Sequence, residues 1–294
     1  MFLRKKMRES TETYLDKIKE IKEEIESSDA IVIGAGAGLS TSAGAEYDGK
    51  RFEKYFADFG EKYGFKDMYS GGFYPFESDE IFWAYWSRYI NINRYEDVDN
   101  GTYKNLYDIV KFKNYFVITT NVDHMFQKYG FDKSRLFYTQ GDYGLFQCSV
   151  PCCQKTFDNE STVKKMLKLQ KNMKIPSELI PRCPNCGSKM VMNLRSDDKF
   201  VEDKGWHQAK ERYIKFLTEN LDKKIVFLEL GVGLNTPGII KYPFWRMVKN
   251  KKDSKYIVIS LDYTYIPEKI ANRSIWINED IGKILTDINK IDTK

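Results

Sequence analysis

An α/β fold, a parallel sheet flanked by helices, is what this 294-residue chain predicts, and three observations carry it. The apolar run Ala30-Ile-Val-Ile passes directly into Gly34-Ala-Gly36-Ala-Gly38-Leu-Ser40-Thr-Ser-Ala-Gly44, the pattern of a buried strand, a tight turn and the start of a helix. Further short apolar runs recur at Tyr115 to Thr120, Lys224 to Leu230, Tyr256 to Leu261 and Ser274 to Ile277, with helical stretches between them, as in a sheet covered on both faces. With 42% hydrophobic and 15% aromatic residues the chain can bury a large core.

Taken in order, Tyr14, Leu15, Ile18, Ile21 and Ile25 recur at helical spacing among Lys and Glu, so a helix is expected from about Ser10 to Ser27, over the first strand. The glycine turn has the geometry of a phosphate site, because glycines let a pyrophosphate approach the backbone and unpaired N–H groups at a helix start carry partial positive charge. Gly34 and Gly36 fit a dinucleotide fingerprint, but Leu39 stands where a dehydrogenase has its third glycine. No strand ending in Asp or Glu follows about 20 residues later, so the loop reads as a nucleotide loop of another kind. Glu46 to Ile109 is dense in aromatics, with turns at Gly71-Gly72 and Asn100-Gly101, and reads as a helical module whose rings form core.

The second strand, Tyr115 to Thr120, delivers Asn121-Val122-Asp123-His124 to the carboxyl edge of the sheet, where ligands of open α/β sheets bind. A short strand at Arg135 to Tyr138 leads to Thr139-Gln140-Gly141-Asp142, and short helices are expected at Lys164 to Met173 and His207 to Leu221. The strand Lys224 to Leu230 runs into Gly231-Val-Gly233 and then Asn235-Thr236-Pro237, which has the form of a helix cap with Pro in the first turn. Two last strands end at Asp262 and at Glu279-Asp280-Ile281-Gly282.

The net charge of +5 is spread along the chain apart from Lys249-Asn-Lys-Lys252, which argues against a nucleic-acid arm and is met by an acidic protein partner or an anionic cofactor. Met1-Phe-Leu-Arg-Lys-Lys has no apolar core for a signal peptide, and no run approaches the ~20 apolar residues of a membrane span. A cytoplasmic protein without membrane partners is expected. All five cysteines lie between Cys148 and Cys186, which in a reducing compartment points to metal. Cys183-Pro-Asn-Cys186, followed by Gly187, is one half of a structural Zn2+ site. The other half is Cys148 with Cys152 or Cys153, both within range; Cys152 is favoured, with Cys153 left free or packed. A redox pair at Cys152-Cys153 is the alternative, although vicinal cysteines close only a strained ring.

The order and spacing of Gly34-Ala-Gly36 with Ser40, Thr120-Asn121-Val-Asp123, the four-cysteine module, Gly231-Val-Gly233, Asp262 and Asp280-Ile281 resemble the sirtuin family. These are NAD-consuming enzymes with a Rossmann-like domain and a small zinc module. The resemblance implies one catalytic domain over 1–294: a Rossmann-like large part at 10–48, 105–147 and 195–294, a helical module at 49–104 and a zinc-binding module at 148–194. It implies that Ala35, Gly36, Ser40, Gly231, Val232, Asp262 and Ile281 lie around the adenosine and pyrophosphate of NAD. Asn121 and Asp123 would lie at the nicotinamide end. A neutral amide at Asn121 can hold ribose hydroxyls or a water without acting as a nucleophile, and the Asp123 carboxylate can accept from the nicotinamide carboxamide.

Three departures qualify that resemblance. Sirtuin deacylases carry a histidine base after the short strand, where this chain has Gln140, and glutamine has no pKa near neutrality. The only histidines are His124, read as structural beside Asn121, and His207. Where deacylases have an apolar acyl-lysine tunnel, Met192-Asn193-Leu194-Arg195-Ser196-Asp197-Asp198 is polar. Glu46-Tyr47-Asp48-Gly49 replaces the usual Pro-Asp-Phe-Arg loop, leaving Phe52 and Arg51 as displaced candidates for its ring and guanidinium. These features resemble the macrodomain-linked, or class M, sirtuins. That resemblance implies an NAD-dependent protein mono-ADP-ribosyltransferase with Asn121 and Gln140 at the reacting ribose. It further implies an acceptor that is a lipoylated carrier protein resembling glycine cleavage H protein, and a macrodomain de-ADP-ribosylase acting on the same target. An NAD-dependent lysine deacylase and a non-catalytic NAD sensor are the alternatives.

Overall fold

In the computed structural model, residues 13–262 and 264–291 are described; Ser10 to Glu12, the expected first turn of the N-terminal helix, and Met1 to Lys6 lie outside them. Nine strands are present among the described residues: β1 (Ala30–Ala35), β2 (Tyr115–Thr119), β3 (Leu136–Tyr138), β4 (Gly141–Cys148), β5 (Thr156–Asp158), β6 (Met190–Leu194), β7 (Ile225–Leu230), β8 (Ser254–Ile259) and β9 (Ser274–Ile277). Six of them form one parallel sheet in the order β3-β2-β1-β7-β8-β9. The chain leaves β1 to one side for β2 and later returns to its other side for β7, so the crevice at the carboxyl ends of β1, β2 and β7 is the topological switch point.

Every residue of β1 is buried, as a strand covered on both faces requires. Ile31, Ile33 and Ala35 pack into one core with the helices Tyr14–Ser27, Thr102–Val110 and Ile281–Lys290. Ala30 and Val32 alternate onto the opposite core, with Trp206, Ala209, Phe244 and Val248 of the helices Lys204–Glu219 and Lys241–Asn250. The N-terminal helix starts at a capping box, in which the Thr13 hydroxyl accepts from the Asp16 N–H and the Asp16 carboxylate accepts from the Thr13 N–H. Asn235-Thr236-Pro237 is not a helix cap. It forms a turn, Ile239 N–H to Thr236 O at 3.2 Å, and the helix begins at Lys241 with Pro243 in its first turn, where a missing N–H is harmless.

The aromatic region folds as the helices Gly49–Tyr63, Met68–Gly72 and Asp79–Ile90, whose Phe56, Phe59 and Tyr85 form a buried cluster. This core is continuous with a small antiparallel sheet, β5-β4-β6, that the sequence reading did not anticipate. The Gly-Asp-Tyr-Gly-Leu-Phe-Gln-Cys of β4 contains two glycines, an Asp and no β-branched residue, which offset the strand preference of Tyr143 and Phe146. Residues 141–147, assigned above to the large part, are hydrogen-bonded into this small sheet.

At the far end of β4 the sulfurs of Cys148, Cys152, Cys183 and Cys186 lie within 4.8 Å of one another, with Cys148–Cys186 and Cys152–Cys183 each at 3.6 Å. Zinc–sulfur bonds of ~2.3 Å at tetrahedral angles separate sulfurs by roughly 3.8 Å, so the set fits zinc. Cys153 stands outside the cluster. Gly187, at φ +75°, closes the knuckle by donating its N–H to Cys183 O.

The loops after β1 and β7 meet backbone to backbone. A Cβ on Gly36 would lie 2.6 Å from Gly231 O, one on Gly38 2.8 Å from Gly231 Cα, and one on Gly231 2.6 Å from Gly38 C. Gly231 also has φ +60°. Beneath this contact, the buried Glu229 pairs with Lys241 and accepts from the Tyr256 hydroxyl at 2.7 Å. Burial holds the Glu229 carboxyl above its usual range, opposed by Lys241.

Two outcomes are expected. Chelating the zinc, or Cys183→Ser, should melt the small module and lower activity while the glycine turn persists, because the metal supplies folding energy the module's own core cannot; metal analysis and thermal melting check this. Gly231→Ala should destabilise the protein by about 2–4 kcal/mol, combining overpacking with a strained left-handed alanine, as read by denaturant titration.

Candidate active site

At the switch point the Ser40 hydroxyl is the centre of a closed hydrogen-bond set. It donates to the Asp123 carboxylate, accepts from Asn121 Nδ2 at 3.0 Å and lies 2.9 Å from the Tyr103 hydroxyl. With its single proton committed to Asp123, Ser40 accepts from Tyr103. Ser40, Asn121 and Asp123 are all buried. Asn121 reaches this place because β2 ends at Thr119, whose hydroxyl accepts the Asn121 N–H at 3.0 Å.

The second proton of Asn121 Nδ2 goes to Gly36 O at 3.0 Å. Both amide donors are therefore spent within the protein, which fixes the orientation of the side chain and leaves Oδ1 as its free acceptor. That atom can take a hydrogen bond from a ribose hydroxyl or a water. Asp123 also receives the Met125 N–H at 3.1 Å. Burial raises its pKa above the carboxylate norm, against those two hydrogen bonds.

Several expectations need correction. Gly34, read with Gly36 as the fingerprint pair, belongs to β1, where a Cβ would lie 2.4 Å from Ile240 and 2.6 Å from Phe244; the glycines at the turn are Gly36 and Gly38. The turn offers fewer free N–H groups than a phosphate cradle was expected to, since Gly36 donates to Leu230 O, Gly38 to Gly231 O and Leu39 to Gly36 O. Arg51 is spent on Glu46 O, Asn93 Oδ1 and Ile92 O, and Phe52 is buried against Phe56. The ring beside the site is Tyr47, which stacks on Tyr89 with centroids 5.9 Å apart. Burial and the nearby Asp123 charge raise its phenol pKa. Asn193 lines no tunnel. It is buried in β6, donating to Gln147 Oε1 at 2.7 Å and Val201 O at 3.1 Å. Asp197 turns its carboxylate onto the Lys199 N–H.

Gln140 sits between β3 and β4, half-buried, and its side chain makes no hydrogen bond with the described residues. Its carbonyl accepts the Arg195 N–H at 3.0 Å, and Gly141 at φ +99° presses on Asn193 O, which holds the backbone here. The structure thus joins Ser40, Asn121 and Asp123 directly, and leaves Gln140 outside their network. Ala35 ends β1 and Val232 follows the Gly36–Gly231 contact, both buried. Asp262 is exposed after β8. The Ile281 side chain points into the core, so only its backbone could face a nucleotide. Asp280 caps that last helix and accepts from Ser42 Oγ at 2.7 Å, tying the helix to the glycine turn.

Sequence reasoning missed two residues. Tyr103 falls within the aromatic stretch Glu46 to Ile109, and nothing local marks its hydroxyl. Asp142 accepts from Arg94 Nε at 2.6 Å and the Gly144 N–H at 2.7 Å, and lies 2.7 Å from His124 Nδ1. Burial opposes its ionisation, yet His124 and Arg94 overcome this and its pKa lies below the usual value.

No family model matches the chain. It is 40% identical, over 89% of its length and 84% of the relative's, to the "Protein ADP-ribosyltransferase" of Staphylococcus aureus (strain Mu50 / ATCC 700699). A second relative, the "Probable bifunctional ADP-ribose hydrolase/ADP-ribosyltransferase" of Fusarium oxysporum f. sp. cubense, is 34% identical over 76% of this chain, which spans 38% of that protein. Among solved structures, a Sir2 homologue in complex with ADP-ribose superposes at TM-score 0.59 with 15% identity, over 92% of this chain and 96% of its own. A Sir2 complex with a deacetylated peptide and 3′-O-acetyl ADP-ribose gives 0.56 at 18% identity, over 92% and 96%. The fold is therefore that of the sirtuins, and the chain belongs to the protein ADP-ribosyltransferase family built on it.

Proposed function

We propose that this protein transfers one ADP-ribosyl group from NAD to an acceptor protein and releases nicotinamide. The observation that carries the reading is the Ser40–Asn121–Asp123 set at the switch point, combined with a glutamine where deacylases place their base. Asn121 presents a fixed neutral acceptor to the ribose, where charge develops as nicotinamide departs. Gln140 can donate and accept but cannot remove a proton from a ribose hydroxyl, so the second half of deacylation has no base at that position. The 40% identical relative named as a protein ADP-ribosyltransferase supports the same reaction.

The acceptor we propose is a lipoyl-carrier protein, on the class M resemblance set out above. A macrodomain hydrolase removing the same mark is supported by the fungal relative, whose name joins an ADP-ribose hydrolase to a transferase. Adenosine and pyrophosphate are assigned to the residues around Gly36, Ser40, Gly231, Val232, Asp262 and Ile281. The test is incubation of the protein with labelled NAD and a recombinant lipoylated carrier, alongside an acyl-lysine peptide. Label on the carrier is expected; an acyl-ADP-ribose product from the peptide would overturn the reading.

Asn121→Ala should lower turnover by roughly a hundredfold while changing NAD affinity little, because the amide acts where charge develops rather than on the pyrophosphate; steady-state kinetics with calorimetric NAD titration separates the two. Gln140→Ala should cost about threefold to tenfold in transfer, the worth of one uncharged hydrogen bond. Gln140→His should not create deacylation, since Arg195, held beside residue 140 by its own N–H, would be desolvated against an acyl chain. Robust acyl-lysine turnover by that variant would refute the assignment.

A further inference from the structure

The Arg94–Asp142–His124 cluster has no part in the reaction as described so far. Its histidine is built like a base. The Asp142 carboxylate receives His124 Nδ1 at 2.7 Å, so that nitrogen carries the proton and the Nε2 lone pair faces away. Nε2 makes no hydrogen bond with the described residues, and the side chain is 26% exposed. Arg94 and the Gly144 N–H hold the other oxygen of Asp142. His124 lines one cavity with Asn121, Asp123 and Gly141. Its backbone is left-handed, φ +68°, a region where His, Asn and Asp are the non-glycine residues most often found. Lys128, the other cation nearby, is bound to Glu96 O.

We infer that His124, oriented by Asp142, is the catalytic residue that takes the proton from the acceptor nucleophile; this rests on the transferase reading above. In that step the bond between ribose C1′ and the nicotinamide nitrogen breaks, and its electron pair leaves with neutral nicotinamide. A lone pair on the acceptor forms the new bond to C1′. The proton the acceptor sheds moves to His124 Nε2, and the imidazolium is held by ionised Asp142. The base thus serves the incoming group, a role separate from the ribose-hydroxyl deprotonation that Gln140 cannot perform.

The test uses His124→Asn in the full chain, because asparagine tolerates the left-handed backbone and is no base. Nucleophiles that must lose a proton, water and methanol, are compared with azide, which has none to lose. Exchange of labelled nicotinamide into NAD reports the cleavage step alone. For His124→Asn we expect a fall of roughly a hundredfold in ADP-ribose and methyl ADP-riboside formation, with azide adduct and nicotinamide exchange within about threefold of wild type. An equal loss with azide and water would make His124 structural, and unchanged rates with water and methanol would remove it from the mechanism; either overturns the inference while carrier labelling by the wild type upholds the parent reading. Wild-type protein that forms no ADP-ribosyl product from NAD with carrier, water, methanol or azide overturns the transferase reading, and this one with it.

Discussion

Gly36 and Gly38 on one side and Gly231 on the other bring two loops of neighbouring strands so close that no side chain fits between them. Gly36 donates to Leu230 and Gly38 to Gly231, so the contact is fastened by hydrogen bonds as well as by fit. Ser40 follows two residues after Gly38, and Asn121 holds the carbonyl of Gly36. The contact thus sets Ser40 and the Gly36 carbonyl, against which the strand end at Thr119 delivers Asn121. The buried Glu229–Lys241 pair beneath it ties the end of β7 to the following helix. Such a pair adds little net stability, but removing one partner would leave a charge buried alone.

Ser40 has one proton and two lone pairs, and all three are engaged. Its proton goes to Asp123, and Asn121 and Tyr103 fill the acceptor sites. Hydrogen-bond direction then propagates without ambiguity: the Asn121 amide can face only one way, with its oxygen toward the crevice. Orientation of a neutral group is secured here by saturation of its neighbours, which suits a site that must stabilise a cationic ribose without attacking it.

Much of this was legible in the sequence because it is local. An apolar run closed by glycines gives β1 and its turn, Thr119 to Asp123 follow one strand end, and Cys183-Pro-Asn-Cys186 is a knuckle within four residues. What was not legible depends on pairing across the chain. Asp142 is distant in sequence from Arg94 and adjacent to no charged group, so its role emerges only when β4 folds against the helical module. Asn193 reads as a polar wall but is turned inward by its strand register opposite Asp142. Gly34 reads as a loop residue because a strand glycine and a turn glycine look alike until the residues packed on them, Ile240 and Phe244, are known. Tyr103 is one ring among many, and only the fold gives its hydroxyl a partner.

The strand β4 begins at Gly141, next to Gln140, and ends at Cys148, the first metal ligand. Eight residues of chain thus run from Gln140 at one terminus to the cysteine cluster at the other. The strand β6 pairs with both ends of β4, at Gly141 and Asp142 and again from Phe146 to Cys148, across a break in register, while β5 pairs only with Leu145 to Gln147. The cysteine end of β4 and the Gln140–Asp142 end thus share one partner strand, so folding energy supplied at the metal site also bears on how the other end is seated against β6.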